Sequence, residues 1–218
     1  MVKGEVVDDV KTLDEHARDA SIFEVAPQMV VYPKDVGDLA NIVKVVSEAK
    51  KNGESISLAA RAAGTCMSGG SLTDAISVDF TKYFTDLGEV ELEKEIKVQP
   101  GVYFRDLEKK LDQQKLMFPP FPASKMLCTI GGMVANNAAG EKTLSYGQTE
   151  RYVKELGVVL ADGNSYRLKK LTKPELDAKM AQPGFEGEVY KKTFDLIDKN
   201  YSLIQVYKVS PLLVLVSC

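Results

Sequence analysis

Residues 61–70 read Arg-Ala-Ala-Gly-Thr-Cys-Met-Ser-Gly-Gly, and every one except Arg61 and Met67 is small. Such a run lets consecutive backbone N–H groups turn to one side and form a concave site for an anion, and glycine removes the side chain that would block a diphosphate. Gly64 and Gly69 supply that freedom, Thr65 and Ser68 add hydroxyl donors, and Arg61 adds a positive charge. The competing reading is a merely flexible surface loop. The spacing matches neither the Rossmann Gly-x-Gly-x-x-Gly nor the Walker Gly-x4-Gly-Lys-Ser/Thr pattern, and no helical period begins after it, which disfavours an ordinary NAD or ATP site.

The flanks define what the loop is set in. Residues 55–59 alternate like a strand, 75–79 read as another, and 29–32 as a third that stops at Pro33. Between them Val36, Leu39, Ile42, Val43, Val46 and Ala49 recur at helical spacing, with Asp35 placed to cap the start and Gly53 to end the helix. A second strand-then-helix unit follows, 95–99 and then Val102, Phe104, Leu107 and Leu111. Two strand-like runs within 153–168 flank Asp162 and Gly163, a pair suited to a tight hairpin turn. Thr172 and Pro174 mark a helix start, and 185–200 carries another helical pattern. The fold class is α+β with mixed strands.

A second small-residue stretch lies at 119–140, beginning PPFPAS and continuing through CTIGGMVANNAAG. Three prolines stiffen its approach, and from Gly131 to Gly140 it is mostly small, with Ala135 and the adjacent amides Asn136 and Asn137. It reads either as a surface for a flat polar ligand or as a helix-packing segment in which glycine lets two backbones approach. Two such interruptions about 60 residues apart are harder to explain by packing alone.

Composition removes other functions. A net charge of -3 gives no attraction to nucleic acid, so none is expected as a partner. His16 is the sole histidine, which excludes a Ser-His-Asp triad and a multi-histidine metal site; it sits in a polar, helix-like segment and is read as solvated. Cys66, Cys128 and Cys218 form no CxxC pair, and no apolar run reaches membrane-span length, so a cytoplasmic chain without a membrane span is expected. From Val209 the composition breaks to an apolar tail, which could add a strand or join a second copy.

Taken in order, Pro33 with its helix, the RAAGT loop, VQPG at 98–101, PASKMLCTIGGMVANNAAG, the run 146–149 and VVLADG at 158–163 resemble the FAD domain of the p-cresol methylhydroxylase type in the vanillyl-alcohol oxidase superfamily, within it the D-lactate dehydrogenase and glycolate oxidase subunit group. The resemblance spans about Val25 to Leu168. It implies a two-subdomain FAD-binding domain at 1–203, divided near residue 82, with 204–218 an atypical tail. It further implies that Arg61, Ala62, Ala63, Gly64, Thr65, Cys66, Ser68 and Gly69 wrap the FAD diphosphate. Pro122, Ala123, Ser124, Thr129, Gly131, Gly132, Ala135, Asn136 and Gly140 would line the diphosphate, ribose and flavin sides.

Many relatives carry a flavin-linked histidine where this chain has Thr65, and Cys128 lies one residue away from the position of a flavin-linked cysteine, so the FAD is expected to be non-covalent. Relatives oxidise a 2-hydroxy acid or similar alcohol by hydride transfer to the flavin. They continue through a substrate cap that is absent here, so inactivity alone is expected, with a separate cap-domain or electron-acceptor chain as partner. The alternative is a non-catalytic remnant or partner-binding module that keeps the fold.

Overall fold

The computed structural model describes residues 2–91 and 94–206. Strand β1 (Glu5–Val7) and helix α1 (Val10–His16) precede strand β2 (Met29–Tyr32), helix α2 (Val36–Lys51), strand β3 (Leu58–Arg61) and strand β4 (Ile76–Asp79). These strands form one sheet in the order β1-β2-β4-β3, with β1 antiparallel at its edge and the others parallel. Helix α2 is the crossover from β2 to β3, which run parallel with β4 between them. Asp35 caps α2 by accepting from the Asp38 N–H at 2.8 Å, and Gly53, at φ +91°, follows its end. The apolar face of α2, through Ile42 and Val46, packs on Val31, Ile76 and Val78 of the sheet.

Asp38, in the first turn of α2, is fully buried and accepts from the backbone N–H groups of Lys3, Gly4 and Lys34 at 2.8, 2.8 and 3.0 Å. Burial pushes its carboxyl up, but these three donors outweigh it and hold it below the ordinary range. The N-terminal segment is thereby pinned beside β2.

A second set of elements follows: strands β5 (Leu87–Val90) and β6 (Ile96–Val98), antiparallel to each other, helix α3 (Phe104–Asp112), the short helices α4 (Ile130–Ala135) and α5 (Thr143–Tyr146), a 3-10 turn at Thr149–Tyr152, and strands β7 (Glu155–Val159) and β8 (Ser165–Lys169). Its core is Phe104, Phe121, Cys128 and Met133, with Phe118, Ile130 and Ala138 packed on it. Helices α6 (Lys173–Ala181), α7 (Phe185–Lys199) and α8 (Tyr201–Val206) complete the described chain. Glu175 accepts from both the backbone N–H and the hydroxyl of Thr172 at the start of α6, at 2.7 Å each. Two compact units result, divided between Leu168 and Lys169. Most of the apolar tail, 207–218, and the idea that it pairs with a second copy lie outside the described residues.

Three sequence expectations change. The strand at 55–59 is observed as β3, Leu58–Arg61, because its partner β4 sets the span through the register Leu58↔Ile76 to Arg61↔Asp79. The hairpin between β7 and β8 is not a two-residue turn. Gly163 N–H donates to Leu160 O at 2.8 Å and Leu160 N–H to Asn164 O at 3.1 Å, with only Gly163 at positive φ, giving a three-residue loop that ends in a glycine bulge. His16 is buried rather than solvated, at 8% exposure.

Candidate functional site

The loop after β3 holds its shape through a buried polar group beneath it. The Arg61 guanidinium donates to His16 O at 3.2 Å and to Arg18 O at 2.7 Å. Burial pushes its pKa down, opposed by the charges of Asp79 and Asp19. His16 Nδ1 lies 2.9 Å from Thr12 O, which can only accept, so that nitrogen carries a proton. His16 Nε2 faces Asp79 Oδ2 at 2.9 Å, and Asp79 Oδ1 accepts from the Thr81 N–H and hydroxyl at 2.6 Å each.

This cluster ties α1, the end of β4 and the segment 17–20 to the base of the loop. Ala20 N–H completes the connection by donating to Gly64 O at 3.0 Å. Gly64 has φ +64°, and a Cβ there would come within 2.7 Å of Arg61 Nη2, so glycine is needed for both conformation and contact. Arg61, placed by its sequence position as a ligand charge, is thus turned to the protein backbone.

The loop opens on a cleft of about 500 Å³ lined by Arg18, Asp19, Ala20, Ala63, Gly64, Thr65, Tyr103, Arg105 and Leu127. Among the described residues, the backbone N–H groups of Ala62, Ala63, Gly64 and Thr65 have no hydrogen-bond acceptor. Donors left free in this way are open to water or a ligand, and those of Ala63, Gly64 and Thr65, on the wall of the cleft, make a donor surface for acceptor oxygens. Asp19 is the cleft's carboxylate. Burial pushes it up, but the Ser21 and Ser71 donors and the charge of Arg61 bring it below the ordinary range.

The second small-residue segment is arranged differently. Ile130 N–H donates to Val102 O, Gly131 N–H to Pro100 O and Met133 N–H to Thr129 O, at 2.9, 2.9 and 3.0 Å, while the buried Thr129 hydroxyl accepts from Gly132 N–H at 3.4 Å. A Cβ on Gly131 would lie 2.5 Å from Pro100 Cβ, and one on Gly140 would lie 1.9 Å from Phe121 O. These two glycines permit close backbone packing. Asn137, at φ +46°, donates to Glu150 Oε2 and accepts from Glu150 N–H, at 3.0 and 2.9 Å.

Pro122, Ser124 and Gly132 are half-buried, and Ala123, Ala135 and Asn136 are exposed. The cleft lining includes none of these six, nor Thr129, Gly131 or Gly140. From the first loop it gathers Ala63, Gly64 and Thr65, but not Arg61, Ala62, Cys66, Ser68 or Gly69.

Cys66 and Cys128 follow the same division. The Cys66 thiol, 3.2 Å from Ser68 Oγ, is lowered by that hydroxyl and by the N–H groups of Ser68 and Gly70, whereas burial pushes the Cys128 thiol up. Sequence reasoning missed Arg18, Asp19, Ala20, Tyr103 and Arg105. Tyr103 and Arg105 follow the VQPG turn directly, but nothing in their spacing separates them from an ordinary helix start.

Residues 27–169 match the family described as FAD binding domain. The chain belongs to this family. Over 204 residues it is 30% identical to D-2-hydroxyglutarate dehydrogenase of Pseudomonas putida, covering 93% of this chain and 20% of that protein. It is 31% identical over 147 residues to glycolate oxidase subunit GlcD of Bacillus subtilis, covering 66% and 30%. The chain therefore spans a fifth to a third of the length of these relatives.

In structure it is similar to 6-hydroxy-D-nicotine oxidase of Arthrobacter nicotinovorans, with a TM-score of 0.67, 22% identity, and coverage of 81% of this chain and 38% of that one. That likeness concerns the fold, and it agrees with the α+β, mixed-strand class. The cleft's unmatched donors fit the diphosphate of the FAD that the family binds. Among the described residues no group of side chains suits a metal ion, and no helix is long and apolar enough to cross a membrane.

Proposed function

We propose that the chain is the FAD-holding part of a flavin-dependent oxidoreductase acting on a 2-hydroxy acid, working in the cytoplasm with its FAD bound non-covalently. The run of unmatched N–H groups from Ala63 to Thr65 on the cleft wall carries this reading. It supplies donors where a diphosphate needs them, and the low net charge of the chain gives no reason to expect a polyanion instead. Non-covalent binding is supported by Thr65 on the cleft wall, a hydroxyl that does not alkylate, and by the burial of Cys128. The 2-hydroxy acid class is supported by the relatives named above.

When bound, the flavin supplies the hydride-accepting chemistry. The residues of this chain bind and orient. Ala62 to Thr65 receive the diphosphate, and Arg61, His16 and Asp79 fix the loop that carries them. Of the second segment, Pro122, Ala123, Ser124, Gly132, Ala135 and Asn136, which are half-buried or exposed, stay available for the ribose and flavin sides. Substrate selection draws on a further region, a cap-type domain or a partner chain that also passes electrons on.

The test is the visible absorption spectrum of the purified protein after incubation with FAD and gel filtration. Retained flavin bands, released into the supernatant by acid, are expected. A protein that stays colourless at saturating FAD would reject the reading and favour a non-catalytic module that keeps the fold.

A further inference from the structure

Among the described residues, the cleft has one positively charged group without a carboxylate partner. Arg18 also lines it, but its guanidinium is paired with Asp14 at 3.3 Å and Glu24 at 2.7 Å. Arg61 lies under the loop and donates to backbone oxygens. Arg105 has no carboxylate partner among the described residues, yet it is held in place. Its guanidinium carbon sits 4.0 Å from the centre of the Tyr103 ring, and Nη1 donates to Met126 O at 2.7 Å. The ring contact and the hydrogen bond restrain the guanidinium, and that single hydrogen bond takes one of its five N–H donors. A side chain that already gives up its rotamer freedom loses little more on meeting a ligand.

Asp19, the carboxylate of the same cleft, is committed to Ser21 N–H at 2.8 Å and the Ser71 hydroxyl at 3.2 Å, so it is not the partner Arg105 lacks. Its negative charge disfavours an anion close by.

Resting on the FAD reading above, we propose that Arg105 is the phosphate-binding cation of this cleft. It donates to the diphosphate oxygens together with the N–H groups of Ala63 to Thr65 in the same cleft, with Tyr103 as its platform. A planar, two-pronged donor suits two phosphate oxygens, which an ammonium group does not reproduce.

The test is titration of the full chain with FAD and, separately, with ADP, for the wild type, Arg105→Gln, Arg105→Lys and Arg18→Gln, after circular dichroism has shown each to be folded. Loss of a charge-assisted hydrogen bond weakens binding about tenfold or more, so Arg105→Gln should raise the dissociation constants for FAD and ADP by the same factor. Arg105→Lys should fall between, and Arg18→Gln should stay within about twofold, as expected for an exposed charge already neutralised.

Equal loss for ADP and FAD places the effect at the diphosphate. Loss confined to FAD, an unchanged Arg105→Gln, or an Arg18→Gln as impaired as Arg105→Gln would each overturn the proposal while leaving the FAD reading intact. A wild type that binds neither ligand overturns both. Should Arg105→Gln fail to fold, Arg105→Lys against Arg18→Gln decides the same question.

Discussion

The chain contains two small-residue segments of similar composition, and the structure uses them in opposite ways. In 61–70 the backbone N–H groups from Ala62 to Thr65 go unmatched beside a cleft. In 122–140 the N–H groups at the start of α4 are taken by Val102, Pro100 and Thr129, and Gly131 and Gly140 face backbone or ring atoms at less than van der Waals distance from any added Cβ. Glycine in the first segment grants a conformation and an open donor surface, while in the second it grants an approach between chains of atoms. Composition alone does not distinguish these uses. The fate of each N–H does.

The largest effect that separates the segments is expected at Gly140. A methyl group there meets the Phe121 carbonyl, which cannot yield, so Gly140→Ala should lower unfolding free energy by about 3 kcal/mol or more in urea. A wild-type-like midpoint would break the packing role. Gly64→Ala should cost less, about 1–2 kcal/mol for the left-handed backbone, because its methyl group meets only the end of the Arg61 side chain. It should also weaken FAD binding, which Gly140→Ala at equal folded concentration should not.

A smaller difference is expected between the thiols. In a Cys218→Ser background, iodoacetamide followed by peptide mapping should modify Cys66 about tenfold faster than Cys128, as lowered pKa and access predict. Because the folded-state value of Cys66 is depressed and that of Cys128 raised, Cys66 should reach its plateau rate at the lower pH, and FAD should protect it. Equal rates would mean that the second segment opens as readily as the first. The smallest effect belongs to Gly132→Ala. The nearest atom to its Cβ is Thr129 Oγ1 at 3.6 Å, so helix propensity should raise stability by about 0.5 kcal/mol. If this substitution instead weakens FAD binding, the cofactor lies against α4 and the second segment has a ligand role as well as a packing one.

Much of the framework was legible because its signals are local. Asp35, the apolar period of α2 and Gly53 act within one helix, and Thr172 with Pro174 within one turn. What was not legible depends on partners far away in the chain. His16 sits among charged neighbours and looks solvated, but its partner Asp79 is 63 residues on, at the end of β4. The start of β3 was misplaced because its register is set by β4, not by its own alternation. The packing around Gly131 and Gly140 was not legible either, because the atoms that crowd them, in Pro100 and Phe121, are set beside them only by the fold. Arg105 was passed over because a cation in a first helical turn is unremarkable until its lack of a carboxylate, and the cleft beside it, are seen.

The most direct test of the contrast between the segments is amide NMR of the isotopically labelled chain, titrated with ADP and followed by hydrogen exchange. The N–H signals of Ala62 to Thr65 should exchange quickly without ligand, shift on titration and become protected, while those of Ile130, Gly131 and Met133 should already be protected and shift little. Shifts concentrated at Ile130 to Met133, with the first loop unchanged, would contradict the assignment of the diphosphate to the loop after β3.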